Sequence, residues 1–434
     1  MKKIIKNVLN KPFIRNVTIL ASGTAAAQAI GLFSQPIITR LYGPEAFGMM
    51  GVFMAVVQIF IPIAALTYPI SIVLPKDDRN AKKIVKLSLY IAVFISILVS
   101  ILMILFNETF IRLFQLQEVS SYLFLIPIVL ILAGLMQVSN QWLIRTKQFG
   151  INAKATFFQS LISNVGKIGI GFFYPAAAVL IVLNALGNGL KALIMIFFIK
   201  RKKYKEQRSN QEEQLSLKEV AKRHRDFPLY RAPEVLINSV SQRIPILMLT
   251  AFFGPAAAGF YTLGNNILQQ PIRLVGEAVG NVFYPRITEA SHKKEKLTGL
   301  IIKATFSLTG VGLIPFGLII LFGPWIFSVI FGSEWETAGQ YAQWIGLFLF
   351  CEFINKPSVR SLPVLSAQLF HLVFTGISSI IRISALAIGY YIYSSDLIAI
   401  ALFGVSSAIM HIILILFVLR KSKKYDDSNL NYNY

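Results

Sequence analysis

Twelve runs of mostly apolar residues, at 16–39, 48–74, 84–106, 120–144, 154–173, 176–199, 233–253, 258–284, 300–321, 338–355, 363–392 and 396–419, set what this chain can become. Each is about the length a helix needs to cross ~30 Å of hydrocarbon. Without water, every backbone amide must be satisfied within its own segment, so such runs form helices. Only 14% of residues are charged, against about 25% in soluble proteins. The expectation is an all-α integral membrane protein with twelve transmembrane helices.

Charge gives the orientation. A net charge of +22 would suggest nucleic acid in a soluble chain, but here the cations sit between spans. Counting alternate loops, 35 Lys and Arg fall on the side of the N-terminus and only Arg40 and Arg112 on the other. The positive-inside rule then puts both termini and residues 200–232 in the cytoplasm. Met1-Lys2-Lys3-Ile4-Ile5-Lys6 has the look of a signal-peptide start, and Ala25-Ala26-Ala27 of a cleavage site. The apolar run continues to Thr39, too far for a signal peptide, so an uncleaved first span is expected. Cys351 is the sole cysteine, so no disulfide can form within the chain.

The long polar connection, 200–232, divides the spans six and six, with one surface helix expected near 216–226. The domain reading is an N-terminal lobe over 1–199, a cytoplasmic linker over 200–232, a C-terminal lobe over 233–420 and a disordered cytoplasmic tail over 421–434. A repeat supports two related lobes. The turn Leu41-Tyr42-Gly43-Pro44-Glu45-Ala46-Phe47-Gly48 has Gly43, Pro44, Ala46 and Gly48 where a later turn has Gly254, Pro255, Ala257 and Gly259, each offset by 211 residues. Duplicated halves are common in transporters, and a pseudo-twofold relation between the lobes is the expectation. Pro62, Pro69, Pro245 and Pro271 fall within spans and should bend them.

Five cations lie inside spans: Lys167, Lys191, Arg243, Arg273 and Arg382. Each shares a helical face with other polar residues. Lys167 goes with Thr156, Ser160 and Ser163; Lys191 with Asn184 and Asn188; Arg382 with His371, Thr375 and Ser378; Arg243 lies beside Glu234, Asn238 and Gln242. On span eight, Asn266, Gln269, Gln270, Arg273, Glu277 and Asn281 make one stripe, and span one has an uncharged version in Thr24, Gln28, Gly31, Gln35 and Thr39. A charge at the bilayer centre costs at least ~2.5–3.5 kcal/mol, so such faces must line a wet cavity or a partner helix. Lys191 is about 12 Å from the inner end and within partial reach of it by snorkelling, so a structural reading stands beside the functional one. Arg273 and Glu277, four apart, also read as mutual neutralisation, and Glu277 as an ion-coupling group. Glu352 reads as an inner-end pair with Lys356, and His371 and His411 as packing residues.

Past the first turn of each span, five cations face two acids, Glu277 and Glu352. A cavity with that balance attracts an anion, and the Arg fork fits phosphate oxygens. Arg243 and Arg273 stand ~16 and ~21 Å from the outer turn, a shared depth from which both could reach one pyrophosphate. No metal-ligand spacing, P-loop or His-Glu-x-x-His occurs, so no cofactor is expected and energy should come from ion, voltage or substrate gradients.

The Ser-Gly-Thr-rich first span after a basic N-terminus, the two six-span lobes and the turn Arg40-Leu41-Tyr42-Gly43-Pro44-Glu45-Ala46-Phe47-Gly48 resemble the polysaccharide flippases of the multidrug/oligosaccharidyl-lipid/polysaccharide exporter superfamily, the Wzx-type O-antigen translocases. The resemblance covers roughly residues 10–420. It implies a V-shaped transporter around a central cationic cavity in the bacterial cytoplasmic membrane, turning undecaprenyl-pyrophosphate-linked oligosaccharide to the outer leaflet. Its partners would be that glycan, the bilayer, and the polymerase and chain-length proteins of the pathway, with no nucleic acid. The family's binding residues vary, so the candidates remain those of the stripes: Arg243, Arg273, Arg382, Lys167, Lys191, Gln270, Asn266 and Gln28. The drug-exporter branch usually carries a carboxylate in the first span, where this chain has Thr24 and Gln28. An ion-coupled drug or cation exporter wants intramembrane acids. A polysaccharide polymerase or ligase wants a large outer domain, which the short outer loops do not supply. A scramblase has no need of Arg243 or Arg273.

Overall fold

A computed structural model describes residues 12–114, 117–201 and 215–430; the side chains of 12–21, 107, 109–110, 112–114, 271, 273–281 and 429–430 lie outside that description. Among the described residues there are helices and turns and no strand. The chain forms two compact units, Met1–Pro255 and Ala256–Tyr434.

The first unit opens with α1 (Pro12–Phe60), 49 residues that are in fact two helices joined at Gly43. Gly43 has φ 68° and ψ 173°, a conformation essentially reserved for glycine, and Pro44 restarts the helix. Then come α2 (Asp78–Phe114), α3 (Ser120–Leu123), α4 (Ile126–Arg145), α5 (Phe149–Phe173), α6 (Ala177–Ala185), α7 (Gly187–Arg201), α8 (Leu217–Arg223) and α9 (Ala232–Phe253). α1 packs along α5, α2 and α7 along α4, and α9 against α1. Small residues allow these approaches without a hydrophobic driving force, as where Gly23 meets Ala153 and Gly134 meets Ala92.

The predicted span 48–74 is not one helix. Its regular helix stops at Phe60, and 3-10 turns over Ile61–Ile63 and Tyr68–Val73 complete it, with Leu66 and Thr67 left-handed between them. Pro62 and Pro69 cause this, because each removes a backbone donor and fits only the first turn of a new segment. Pro245, by contrast, stays inside α9.

The expected linker boundary also shifts. α8 is a surface helix within the predicted 216–226, started by a capping box between Ser216 and Glu219. It docks on the first unit: Val220 packs with Ile72, Ile84 and Val138, and Tyr68 OH donates to the Ala221 carbonyl at 3.0 Å. Thr67 Oγ1 donates to the Phe227 carbonyl, Lys83 Nζ to that of Leu215, and α9 follows directly. The described end of the linker and the seventh span thus belong to the first unit, not the second, because buried apolar and hydrogen-bonded groups tie them there.

The second unit contains α10 (Pro255–His292), α11 (Leu297–Phe331), α12 (Glu336–Ile354), α13 (Lys356–Ser361), α14 (Gln368–Tyr391) and α15 (Asp396–Leu430). α11 and α12 touch backbone to backbone, a Cβ on Gly339 falling 2.4 Å from the Gly323 carbonyl oxygen. α15 packs against α12 and α14. The expectation of a disordered tail is corrected over 421–430, where α15 continues. Buried Asp426 accepts hydrogen bonds from the amides of Leu297 and Thr298 at 2.8 and 3.0 Å, capping α11, and Tyr425 OH meets Ser291 Oγ at 2.6 Å.

Eight helical stretches among the described residues are long and apolar enough to cross a membrane; one, Ser22–Ile63, contains the Gly43 turn. α5, α10 and α12 fall outside that set. Polar faces dilute the hydropathy of α5 and α12, and much of α10 (271 and 273–281) lies outside the described side chains, so a count of twelve read from run lengths exceeds this set.

Candidate functional site

In the first unit the polar stripes of span one and span five meet. α1 and α5 run side by side, with Ser160 Oγ donating to the Ala27 carbonyl at 2.8 Å and Tyr42 OH to the Lys167 carbonyl at 2.6 Å. Lys167 Nζ donates to Asn184 Oδ1 on α6 at 3.1 Å, and the Asn184 amide is held in turn by the Leu180 carbonyl and Met50 sulfur. No carboxylate stands within ion-pair distance of Lys167 among the described residues. An ammonium has three donors, so two remain for an anion. Gln28, half-buried on α1, has its Oε1 buried without a partner. Thr156 and Ser160 spend their hydroxyls on nearby carbonyls, and Ser163 accepts from Gln159. They shape this face rather than present free hydroxyls.

Lys191 is half-buried on α7, beyond the Leu186 break that separates it from Asn184 on α6, so the expected stripe is divided between two helices. Arg243 is half-buried on α9, where neighbouring Asn238 and Gln242 bond each other and Glu234 pairs with Arg231.

In the second unit, Asn266 is exposed on α10 and Gln270 half-buried, its Oε1 buried without a partner. Arg273 and Glu277 lie on α10, but their side chains are outside the described residues. Arg382 does not stand on a free face. Its NH2 donates to His411 Nε2 at 3.2 Å, and His411 Nδ1 lies 3.2 Å from the Asn355 amide. His411, read from sequence as packing, is therefore the centre of a half-buried polar cluster that joins the end of α12 to α14 and α15. Glu352 and Lys356 pair at 2.7 Å, as their spacing suggests, and are half-buried. No group of His, Cys, Asp and Glu fit to hold a metal occurs among the described residues.

Two features escaped the sequence reading. Arg145, 7% exposed, binds Asp78 at 2.8 Å and the carbonyls of Ile72 and Pro75, closing the irregular segment onto α2 and α4. Beside it, buried Asp77 takes the Arg79 guanidinium, whose hydrogen bond holds its carboxyl below the usual range. One pair joins residues 67 apart and the other residues two apart, so neither has the helical spacing that would reveal it. The second is the repeat itself in three dimensions. Gly254 has φ 85° and ψ 179°, nearly the Gly43 conformation, and within the first unit a Cβ on Gly48 would run into the Pro255 carbonyl.

An all-helical membrane protein with cations buried among neutral partners is the class these observations define. The chain belongs to the polysaccharide biosynthesis protein family, whose pattern matches residues 37–340. The succinoglycan biosynthesis transport protein ExoT of Rhizobium meliloti is 23% identical over 82% of this chain and 69% of its own. The amylovoran biosynthesis protein AmsL of Erwinia amylovora is 26% identical over 28% of this chain and 31% of its own length. The fold is that of the multidrug/oligosaccharidyl-lipid/polysaccharide superfamily. An inward-facing multidrug resistance transporter of the MATE family matches with TM-score 0.73 at 13% identity, covering 97% of this chain and 99% of that one. The lipid II flippase MurJ matches with TM-score 0.70 at 15% identity, covering 95% and 91%.

Proposed function

We propose that this protein turns an undecaprenyl-pyrophosphate-linked oligosaccharide from the inner to the outer leaflet of the bacterial cytoplasmic membrane by alternating access. It is a carrier, not an enzyme. Lys167 carries this reading: a membrane-buried ammonium whose described partner is a neutral amide, in a chain of a polysaccharide biosynthesis family. A pyrophosphate supplies the missing countercharge. ExoT is named a transport protein for succinoglycan biosynthesis, which supports a glycan cargo. Gln28 offers its amide to sugar hydroxyls, Asn184 holds Lys167 in place, and Lys191 and Arg243 are further cations of the same unit. Arg273, Gln270 and Asn266 are the candidates of the second unit, with Glu277 as a coupling carboxylate. The working partners are the lipid-linked glycan, the bilayer and the polymerase machinery that receives the product.

The test is surface polysaccharide in a deletion strain complemented with each variant at matched expression, with accumulated lipid-linked intermediate measured alongside. Lys167→Met and Arg243→Ala each lower surface polysaccharide and raise the intermediate, and Arg→Lys at Arg243 or Arg273 retains part of the activity. Wild-type levels from Lys167→Met and from Arg243→Ala/Arg273→Ala overturn the cationic-site reading. Fusions at Lys205 and Ser333 test orientation; an extracytoplasmic signal at Lys205 reverses it.

A further inference from the structure

Arg382, His411 and Asn355 come from three places in the second unit and meet at one half-buried point. An arginine side chain can only donate hydrogen bonds, so the His411 Nε2 facing it at 3.2 Å must offer its lone pair. The imidazole is then neutral with its proton on Nδ1. The Asn355 Nδ2 lies 3.2 Å from that nitrogen while the Asn355 Oδ1 is buried without a partner, so turning the amide end for end lets its oxygen accept the Nδ1 proton. This order of donors leaves one place for a proton to enter, the lone pair that Arg382 occupies.

The charged surroundings can be named element by element. α14 brings Arg382, α12 brings Glu352, and α13 brings Lys356, which Glu352 already holds at 2.7 Å. Tyr261 of α10 acts on Arg382, and Lys303, the one ionisable residue of α11, is exposed. Glu352 is within electrostatic range of both Arg382 and His411. Arg382 is also incompletely bound, since its Nε is buried without a partner. One turn away on each helix, Ser378 and Ser407 keep buried hydroxyls without partners. Two acceptors are therefore left open one turn from the Arg382–His411 pair.

We propose that His411 is a proton-binding site, and that the proton and Arg382 compete for the same nitrogen. Proton uptake at Nε2 converts the ring to imidazolium, which has two donors and no lone pair, so the Arg382 hydrogen bond is lost and two cations face each other. Arg382 then turns to Glu352, to the free serine hydroxyls or to an incoming anion. By the same exclusion, an anion that draws Arg382 away makes His411 ready for a proton. Resting on the transporter reading, this makes His411 the point where a proton gradient acts on cargo binding in the second unit.

The chain has four histidines, His224, His292, His371 and His411, few enough to follow by NMR of 15N-labelled histidine in nanodiscs, with His411→Gln assigning the signal. The full-length protein at pH 8 should show His411 as a single neutral tautomer with bare Nε2. Arg382→Gln should let His411 take its proton at a proton concentration at least tenfold lower than in the wild type. A His411 already imidazolium at pH 8, protonated on Nε2, or unaffected by Arg382→Gln overturns the proposal. The transport arm uses proteoliposomes with a fluorescent undecaprenyl pyrophosphate. An imposed pH gradient should change the wild-type flipping rate severalfold and leave His411→Gln, which keeps an acceptor for Arg382 but no proton site, unresponsive. An equal response in His411→Gln overturns the coupling. If neither protein moves the probe, the cargo assignment fails, while the NMR result still decides the proton site.

Discussion

Removing Arg145 should cost more than removing any surface cation of this protein. Its side chain is 7% exposed and that of its partner Asp78 1%. Arg145→Ala strips the carboxylate of a guanidinium at 2.8 Å and frees the carbonyls of Ile72 and Pro75. Breaking one side of a buried pair costs about 3–5 kcal/mol. Asp78 begins α2, where the amides of the first turn favour a negative charge, so the lower end, about 3 kcal/mol, is expected. The internal control is Arg231–Glu234, also at 2.8 Å but with side chains 51% and 64% exposed. Arg231→Ala should cost no more than about 1 kcal/mol. Replacing both buried partners, as in Arg145→Met/Asp78→Leu, should cost less than Arg145→Ala alone, because no charge is left behind. Reversible unfolding in mixed micelles of rising SDS fraction measures all of these. Equal losses from Arg145→Ala and Arg231→Ala would refute the assignment of a buried clamp.

Gly48→Ala drives a methyl into the Pro255 carbonyl, a loss of at least about 1–3 kcal/mol by the same assay, whereas Gly31→Ala, with nothing within 4 Å, should be neutral or mildly stabilising. Asp426→Ala should cost about 0.5–2 kcal/mol through loss of the α11 cap, and Asp426→Asn less. Docking of α8 should weaken in acid. Burial, then the nearby Arg223, hold His224 below the ordinary imidazole value of 6.5, so its contribution is complete above that pH and is lost as pH falls through the lowered value. Hydrogen exchange over 217–231 checks this, and His224→Gln should flatten the pH response.

Helix positions and the paired turns were legible because hydropathy and a Gly-Pro step act locally. Gly43 and Gly254 even adopt the same backbone conformation. The break at Pro62 was legible as a bend but not as a full change to 3-10 turns, since the neighbours that stabilise such turns come from elsewhere, Gln137 donating to the Ile61 carbonyl among them. Within the site, Lys167 was visible as a cation on a wet face, while Asn184 as its partner was not, because that pairing crosses helices. The same reason hid His411. Periodicity reports which residues share a face, and a lone histidine on a mostly apolar helix gives no sign that an arginine from the preceding helix will reach it. The tail was misread because Asp426, Asp427, Ser428 and Asn429 look solvent-loving, yet Asp426 is buried against the start of another helix.

That tail contact has a consequence for biosynthesis. Leu297 and Asp426 are 129 residues apart, so at ~5–20 residues per second the start of α11 waits about 6–26 seconds for its cap. Through that interval its first amides must rely on water at the membrane surface. The start of α11 can therefore be capped only when translation has passed Asp426. A truncation that trims 421–434 as dispensable would leave the start of α11 as uncapped as it is in the nascent chain.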